Sequence, residues 1–473
     1  MLEGLEISII EHSKLENFSD FSPEYYQKSH ILDSNNLRKK PFNSIAKIAY
    51  VTDGEHGSPD WDELSKIKYV TAESIRPNYI LDIDFDTISE AQFSRNARAA
   101  LRENDVLIYS VGAYAGYAAK AEKHLFPASI PRSVAIVRLQ DKAYKPEYLS
   151  VFLNSRFGAF QTKRFRAGNA QPMLALEKIN QFEIPVLNIT FQNEIALLYN
   201  NAYMARLNSK DHYLKAERAL LELVGLADFK HTIQNINIKS VVQSFGKSGR
   251  LDAEYYQLKY EAFENAIKSN INGYTVIKNE YDHLNTVSRK PKATYHYIEI
   301  SDVNVGDGTN SPNIIETNEL PANAKFEVMK GDLIISKVRP NRGAISVIES
   351  DFDNLIVSGA FTVLREKPSS VFTKEVLKVL LRTPIYREWM LQFNVGTQYP
   401  VIRDEDILNL PIPIIDLPTQ TQISQLVQES FVLKAESERL LNVAKRAVDI
   451  AIEQDEAAGL AYIKQEAEVT NAA

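Results

Sequence analysis

The side chains best suited by type and spacing to do chemistry in this sequence are cations beside loop-forming residues. Arg95, Arg98 and Arg102 form one close group, and Lys163, Arg164 and Arg166 run directly into Gly168-Asn-Ala-Gln-Pro172. Farther on, Arg289, Lys290 and Lys292 lie together, and Lys337, Arg339 and Arg342 are interleaved with Pro340 and Asn341. A single such run is usually a solvated face. Repeated beside loops in both halves of the chain, the runs are expected to grip phosphates. The Arg fork matches the edge of guanine, and an Asn or Gln amide matches adenine. Asn169, Gln171, Asn341 and Gln398 are therefore candidate base readers, with His56, Ser58 and Tyr399 on the loops beside them.

Catalytic patterns are not found. Phe245-Gly-Lys-Ser248 has the end of a phosphate loop, but the first glycine of that pattern would fall on Val241. Val305-Gly-Asp-Gly-Thr309 lacks a following helix and is expected to be a hairpin turn. Pro59-Asp60, Glu63 and Lys66 are too tightly bunched to span the two strands of a nuclease site. The 8 His form no metal-ligand pair, and with 0 Cys there is neither a disulfide framework nor a thiolate site. No metal, no cofactor and no catalytic residue are expected on this chain.

The elements that must position the cations occur twice. Glu177-Lys-Ile-Asn-Gln-Phe-Glu-Ile-Pro185 returns as Glu405-Asp-Ile-Leu-Asn-Leu-Pro-Ile-Pro413, a constant offset of 228 positions that takes Glu177 onto Glu405. Ile179/Ile407, Ile184/Ile412, Gln192/Gln420 and Ile195/Ile423 are identical pairs in that register. Glu24-Tyr-Tyr-Gln27 returns as Glu254-Tyr-Tyr-Gln257, so the repeat opens near both points. Strands are expected at 45–50, 68–75, 105–111 and 133–138. Their counterparts lie at 296–303, 332–338 and 358–363, and one helix is expected at 146–166 and again at 373–393. Each unit is thus a mixed α/β module.

Each repeat then continues into a long helix. Ile195, Leu198, Ala202 and Ala205 begin a three-then-four spacing carried on through Ser209, His212, Ala216, Ala219 and Leu223. Ile423, Leu426, Ser430, Leu433, Ser437, Leu440 and Ala444 keep the same register. Such a spacing is a coiled-coil seam, its Ala and Ser content predicts two closely packed helices, each on the order of 50 Å long, and a twofold relation between the repeats would lay them antiparallel. Thr419-x-x-Gln422 fits a capping box at the start of the second. The expected divisions are 1–188 and 236–416 as recognition modules, 189–235 and 417–466 as helices and linker, and 467–473 as a tail.

The ordered set of motifs resembles the specificity subunits of Type I restriction–modification enzymes. It comprises Leu251-Asp-Ala-Glu-Tyr-Tyr256, Asp53-Gly-Glu-His-Gly-Ser-Pro59, the two Gly-x-x-x-Pro turns, and Ile412-Pro-Ile followed by Gln420-x-x-Ile423. The first opening departs from the pattern, with Ser22-Pro-Glu in place of Asp252-Ala-Glu. The resemblance implies two target recognition domains separated by two spacer helices. It also implies a split, asymmetric double-stranded DNA target. Two methyltransferase subunits, with S-adenosylmethionine on them, and restriction or motor subunits would be partners. The chain itself would be non-catalytic and cytoplasmic.

The net charge of −7 argues mildly against a polyanion partner, and no stretch is apolar and long enough to suggest a membrane span. The alternative reading is a non-enzymatic protein–protein adaptor, or a specificity subunit of a methylation-only defence complex.

Overall fold

A computed structural model describes residues 9–11, 23–81, 83–168, 172–227, 229, 236–395 and 399–472. The chain forms two compact units, one of Met1–Leu207 with Leu433–Ala473, the other of Asn208–Val432. Among the described residues no helix is long and apolar enough to cross a membrane.

In the first unit, strands β1 (Ala49–Asp53), β2 (Val106–Tyr109), β3 (Ala118–Lys120) and β4 (Val134–Leu139) form an antiparallel sheet in the order β1-β4-β2-β3. In the second unit, β5 (Tyr281–Leu284), β6 (Leu333–Ser336), β7 (Ile345–Val347) and β8 (Phe361–Glu366) repeat it as β5-β8-β6-β7. An arginine fork on a buried carboxylate sits at the same place in both sheets. Arg138 holds Asp105 at 2.7 and 2.8 Å, and Arg365 holds Asp332 at the same two distances. Each carboxylate also accepts a main-chain N–H, from Arg102 or from Met329. A buried charge is tolerated only when it is paired and hydrogen-bonded in this way.

Several expected elements differ. Residues 45–50 are not one strand. Ile45–Ile48 closes a helical turn that buries Ile45 and Ile48 on one face, and extended chain starts only at Ala49. The second unit does the same with Ile277–Glu280 before β5. The expected helix 146–166 is two, Pro146–Leu153 and Arg156–Phe165, broken where Asn154 turns its amide to the carbonyls of Ala118 and Ser150. Its counterpart is Lys374–Arg382 and Pro384–Met390, followed by a 3-10 turn. Thr383, which precedes the proline, is held extended, because a residue before proline disfavours the helical region. The strand expected at 68–75 is shorter, with Ile67–Tyr69 followed by a 3-10 turn at Ala72–Ser74. Thr294–Ile298 and Ile300–Asp302 repeat that pattern.

The long helices are α1 (Ile189–Leu223) and α2 (Leu417–Glu453). The second does not begin at Thr419, where the capping box is expected. Asn188 caps α1 by accepting the Thr190 N–H at 2.8 Å. Asp416 caps α2 by accepting the Thr419 N–H at 3.0 Å. Thr419 is therefore a recipient of a cap, and the capping box at Thr419-x-x-Gln422 is not formed. One turn later, Gln192 is wholly buried. Its amide oxygen accepts the Lys145 N–H (2.9 Å), and its amide nitrogen donates to the Ala143 (2.9 Å) and Leu187 (2.8 Å) carbonyls. Gln420 makes the same three bonds to Thr373, Val371 and Ile415, at 2.8, 2.6 and 2.8 Å.

Within each unit the helices share one core. Ile195, Tyr199 and Ala202 of α1 lie with Leu441, Ala444, Ala447, Val448 and Ala451 of α2 in the first. Ala216, Leu220 and Val224 lie with Ile423 and Val427 in the second. Early α1 therefore meets late α2, and late α1 meets early α2, which is an antiparallel pairing. Ala205 is buried, whereas Leu198, Leu426, Leu433 and Leu440 are half-buried flanks of the seam. Toward the end of α1 the seam leaves the expected positions. Ala219 and Leu223 face solvent, and Leu220 and Val224 take their places. A helix with about 3.6 residues per turn drifts off a strict heptad in this direction. In the second unit the contact includes Ser209, whose Oγ lies 3.1 Å from the Ser430 Oγ, and Ser430 donates to the Ser209 carbonyl at 2.7 Å.

In the first unit Asp449 of α2 accepts the Arg156 N–H at 3.2 Å, and Arg156 pairs with Asp33 and Glu453. Burial pushes the Asp449 carboxyl up to about 6, against the opposing pull of Arg156.

Two outcomes follow for stability. Ala202→Arg and Ala444→Arg each place an unpaired charge in a closed seam, so each should destabilise by roughly 3–5 kcal/mol in thermal unfolding. An unchanged melting temperature for both would reject the seam. For Asp449 the folded value is raised, so its favourable contribution is complete below about pH 4 and is lost as pH rises through about 6. Asp449→Asn should therefore raise the melting temperature at pH 7.5, by up to about 3 kcal/mol of stability, and give no gain near pH 4.

Candidate nucleic-acid interface

In the first unit the loop after β1 is pinned to the chain at 130–132. The Glu55 N–H donates to the Ile130 carbonyl (3.0 Å) and the Arg132 N–H to the Glu55 carbonyl (2.9 Å). Gly54 lies so close that a Cβ there would stand 1.9 Å from the Ile130 oxygen, so no larger residue fits. The Glu55 carboxylate accepts the N–H groups of His56 and Gly57 and the Asn96 amide. Those bonds, the Gly57 one foremost, hold it below the usual carboxylate range. Asp53 meets His56 Nε2 at 2.7 Å and Arg98 at 3.4 Å. His56, Arg98 and the loop thus form one group, with Ser58 and Arg95 exposed beside it. Arg102 is also exposed, at the turn that feeds β2.

The second basic run divides. Lys163 and Arg166 are exposed, while Arg164 is buried with its guanidinium 3.8 Å from the Tyr25 ring centre. That contact uses Arg164 within the fold. Asn169 and Gln171 lie outside the described residues, as does Gln398 in the second unit.

In the second unit Arg289 is exposed, Lys290 adopts a left-handed backbone with φ +54°, and Lys292 pairs with Asp353 at 3.1 Å. The turn after β6 carries more. Lys337 is 3.1 Å from Asp404, which also accepts the Thr362 hydroxyl at 2.7 Å. Burial pushes the Asp404 carboxyl up, but the Thr362 hydroxyl and the Lys337 ammonium outweigh it and hold it low. Arg339 has φ +50° and lies 4.3 Å from the centre of the exposed Tyr399 ring, a cation–π contact. Asn341 and Arg342 are exposed at the tip.

The back of this turn is held by Arg382, which sequence reasoning missed. Its guanidinium donates to the Gly343 carbonyl (2.6 Å), the Val305 carbonyl (2.9 Å) and the Tyr213 hydroxyl of α1 (2.9 Å). Nothing about Arg382 alone signals this role, since its acceptors come from three distant segments. The hairpin expected at Val305–Thr309 does form, closed by the Asn304 N–H donating to the Thr309 carbonyl at 2.8 Å.

The geometry offers loops that are rigid at the backbone and project cations, an amide and an aromatic ring to solvent. It offers no cluster of His, Asp or Glu able to hold a metal ion among the described residues. What such an arrangement can do is bind, by charge and by edge-on hydrogen bonding.

Comparison with known proteins gives two curated relatives. Over 138 residues the chain is 30% identical to the Type I restriction enzyme HindI specificity subunit of Haemophilus influenzae, covering 28% of this chain and 30% of that protein. Over 173 residues it is 24% identical to the Type I restriction enzyme EcoDI specificity subunit of Escherichia coli, covering 37% and 35%. The match thus spans about a third of the length of each of these relatives. No family model matches the chain. Among solved structures, the S subunit of a Type I restriction–modification system from M. genitalium aligns over 87% of this chain and 95% of its own. The identity is 10% and the TM-score 0.39. The HsdS subunit from Thermoanaerobacter tengcongensis aligns over 88% and 97%, at 18% identity and TM-score 0.30. At TM-scores this low the two structural likenesses carry no weight. The resemblance read from the duplicated motifs holds on the curated relatives, and the chain is similar to the specificity subunits of Type I restriction enzymes.

Proposed function

We propose that this chain is the DNA-recognition subunit of a Type I restriction–modification complex. In this reading each unit recognises one half of a split, asymmetric double-stranded target. The long helices dock two methyltransferase subunits, which carry the S-adenosylmethionine, and restriction or motor subunits join the assembly. The chain contributes recognition and no catalysis.

The observation that carries the reading is the duplication down to individual hydrogen bonds, combined with turns whose side chains differ. Two frames of one design that present different groups suit two different half-sites. Exposed Lys163, Arg166, Arg289 and Arg342 supply phosphate contacts that position the protein, and the turn at Arg339 and Asn341 supplies base contacts. The adaptor reading has only the acidic balance in its favour.

Co-expression with the methyltransferase encoded beside it, followed by mapping of modified bases in host DNA, should return a motif of two short blocks separated by a fixed gap. Absence of any motif from an active complex would reject the proposal. Arg339→Ala with Arg342→Ala should flatten the dependence of log K on log salt by roughly one unit for each phosphate that the variant no longer neutralises. An unchanged slope with unchanged affinity would remove that turn from the interface.

A further inference from the structure

Both units clamp the turn after their second strand to the residues that follow the Gly-x-x-x-Pro motif, and they use the same main-chain atoms. In the first, the Gly112 N–H donates to the Pro172 carbonyl (2.9 Å) and the Leu174 N–H to the Ser110 carbonyl (2.8 Å), with Val111 bridged to Met173. In the second, the Arg339 N–H donates to the Pro400 carbonyl (2.7 Å) and the Ile402 N–H to the Lys337 carbonyl (3.0 Å), with Val338 bridged to Val401. The frames match, yet the side chains do not. The second turn is cationic, whereas the first reads Val111-Gly-Ala-Tyr-Ala-Gly-Tyr117 and has no charge or side-chain amide.

The first turn is nevertheless built to present one group. Tyr114 is 53% exposed at its tip. Its ring stacks on Tyr117 at 5.3 Å between centroids and 19° between planes, and it meets Tyr109 edge-on at 6.3 Å. The backbone beneath has no slack. Gly112 and Gly116 have φ +132° and +102°, and a Cβ would stand 2.6 Å from the Tyr109 hydroxyl at the first and 2.3 Å from Thr162 at the second. Stacking on Tyr117 fixes the plane of Tyr114, and about half of the residue remains open to solvent.

We propose, resting on the DNA-recognition reading above, that Tyr114 is a specificity-determining residue of the first unit and reads the 5-methyl group of thymine in the major groove. A turn without a cation cannot fork to guanine, and without an amide it cannot pair both acceptor and donor of adenine. The major-groove feature recognised by apolar contact is the thymine methyl.

The test uses the chain in complex with its methyltransferase, on duplexes carrying the mapped motif. Each thymine of the motif is replaced in turn by uracil, which removes only the methyl group. One such replacement should weaken wild-type binding about fourfold, the worth of one buried methyl. Tyr114→Ala should lose the same factor on the natural duplex and become indifferent to that uracil, while Tyr114→Phe should behave as wild type. Tyr114 is half exposed, so both variants should fold, the alanine variant losing no more than its ring contacts with Tyr117 and Tyr109. The proposal is overturned if the motif holds no thymine, if no uracil weakens wild-type binding, if Tyr114→Ala remains uracil-sensitive, or if Tyr114→Phe fails as the alanine variant does. In each of those cases the mapped motif leaves the wider reading standing. A wild-type complex that yields no motif overturns both.

Discussion

One buried amide, used twice, ties the long helices to the sheets. Gln192 and Gln420 each spend their acceptor and both donors on main-chain groups of two other segments, with no water needed. A buried amide left unmatched would cost about 1–3 kcal/mol, so the geometry around it admits little choice. The helix start, the loop before Pro146 or Lys374, and the residue just ahead of the helix must arrive together. The caps at Asn188 and Asp416 stand one turn upstream and fix where each helix begins. The seam and the sheet packing are built outward from those two points.

The seam illustrates a second constraint. Small residues let α1 and α2 approach closely, and in the second unit the Ser209–Ser430 pair and the His212–Glu429 contact at 3.0 Å add polar contacts between them. A polar pair satisfied only in one alignment penalises every slipped register, because slippage would bury the hydroxyls unmatched. In the first unit the helix Glu456–Ala472 folds back over the same surface, and Gly459 sits so close to Phe191 and the Ala447 carbonyl that a side chain would collide with them.

Much of this was legible in the sequence, and the limits have physical causes. The constant offset, the identical glutamines and the seam register were visible because they are one-dimensional patterns. The partners of Gln192 were not, since Lys145 lies far off in the chain and identity alone does not say what an amide bonds. Thr419 was a decoy for the cap, because the aspartate three residues upstream caps the helix first and takes the Thr419 N–H. The break at Thr383-Pro384 did have a local signal in its proline, whereas that at Asn154 depends on a tertiary contact to Ala118. Cations advertised the second unit's turn. The equivalent turn in the first was silent, because Tyr114 has no charge and the main-chain frame beneath it is displayed only by the fold. Arg164 looked like its exposed neighbours in the sequence, and its burial against the Tyr25 ring distinguishes it.

The clamped turns divide labour between two kinds of atom. Main-chain N–H and carbonyl groups clamp both of them, joined in the second by the Arg382 guanidinium at the back, and any residue but proline supplies those main-chain groups. Side chains at the tips face outward and bear little of the packing. Substitution at the tips can therefore alter what is contacted without drawing on the stability of the unit, while the glycines and the amide clamps beneath tolerate almost nothing. A lineage under pressure to change what these turns contact would find the tips free to vary and the frame closed to variation.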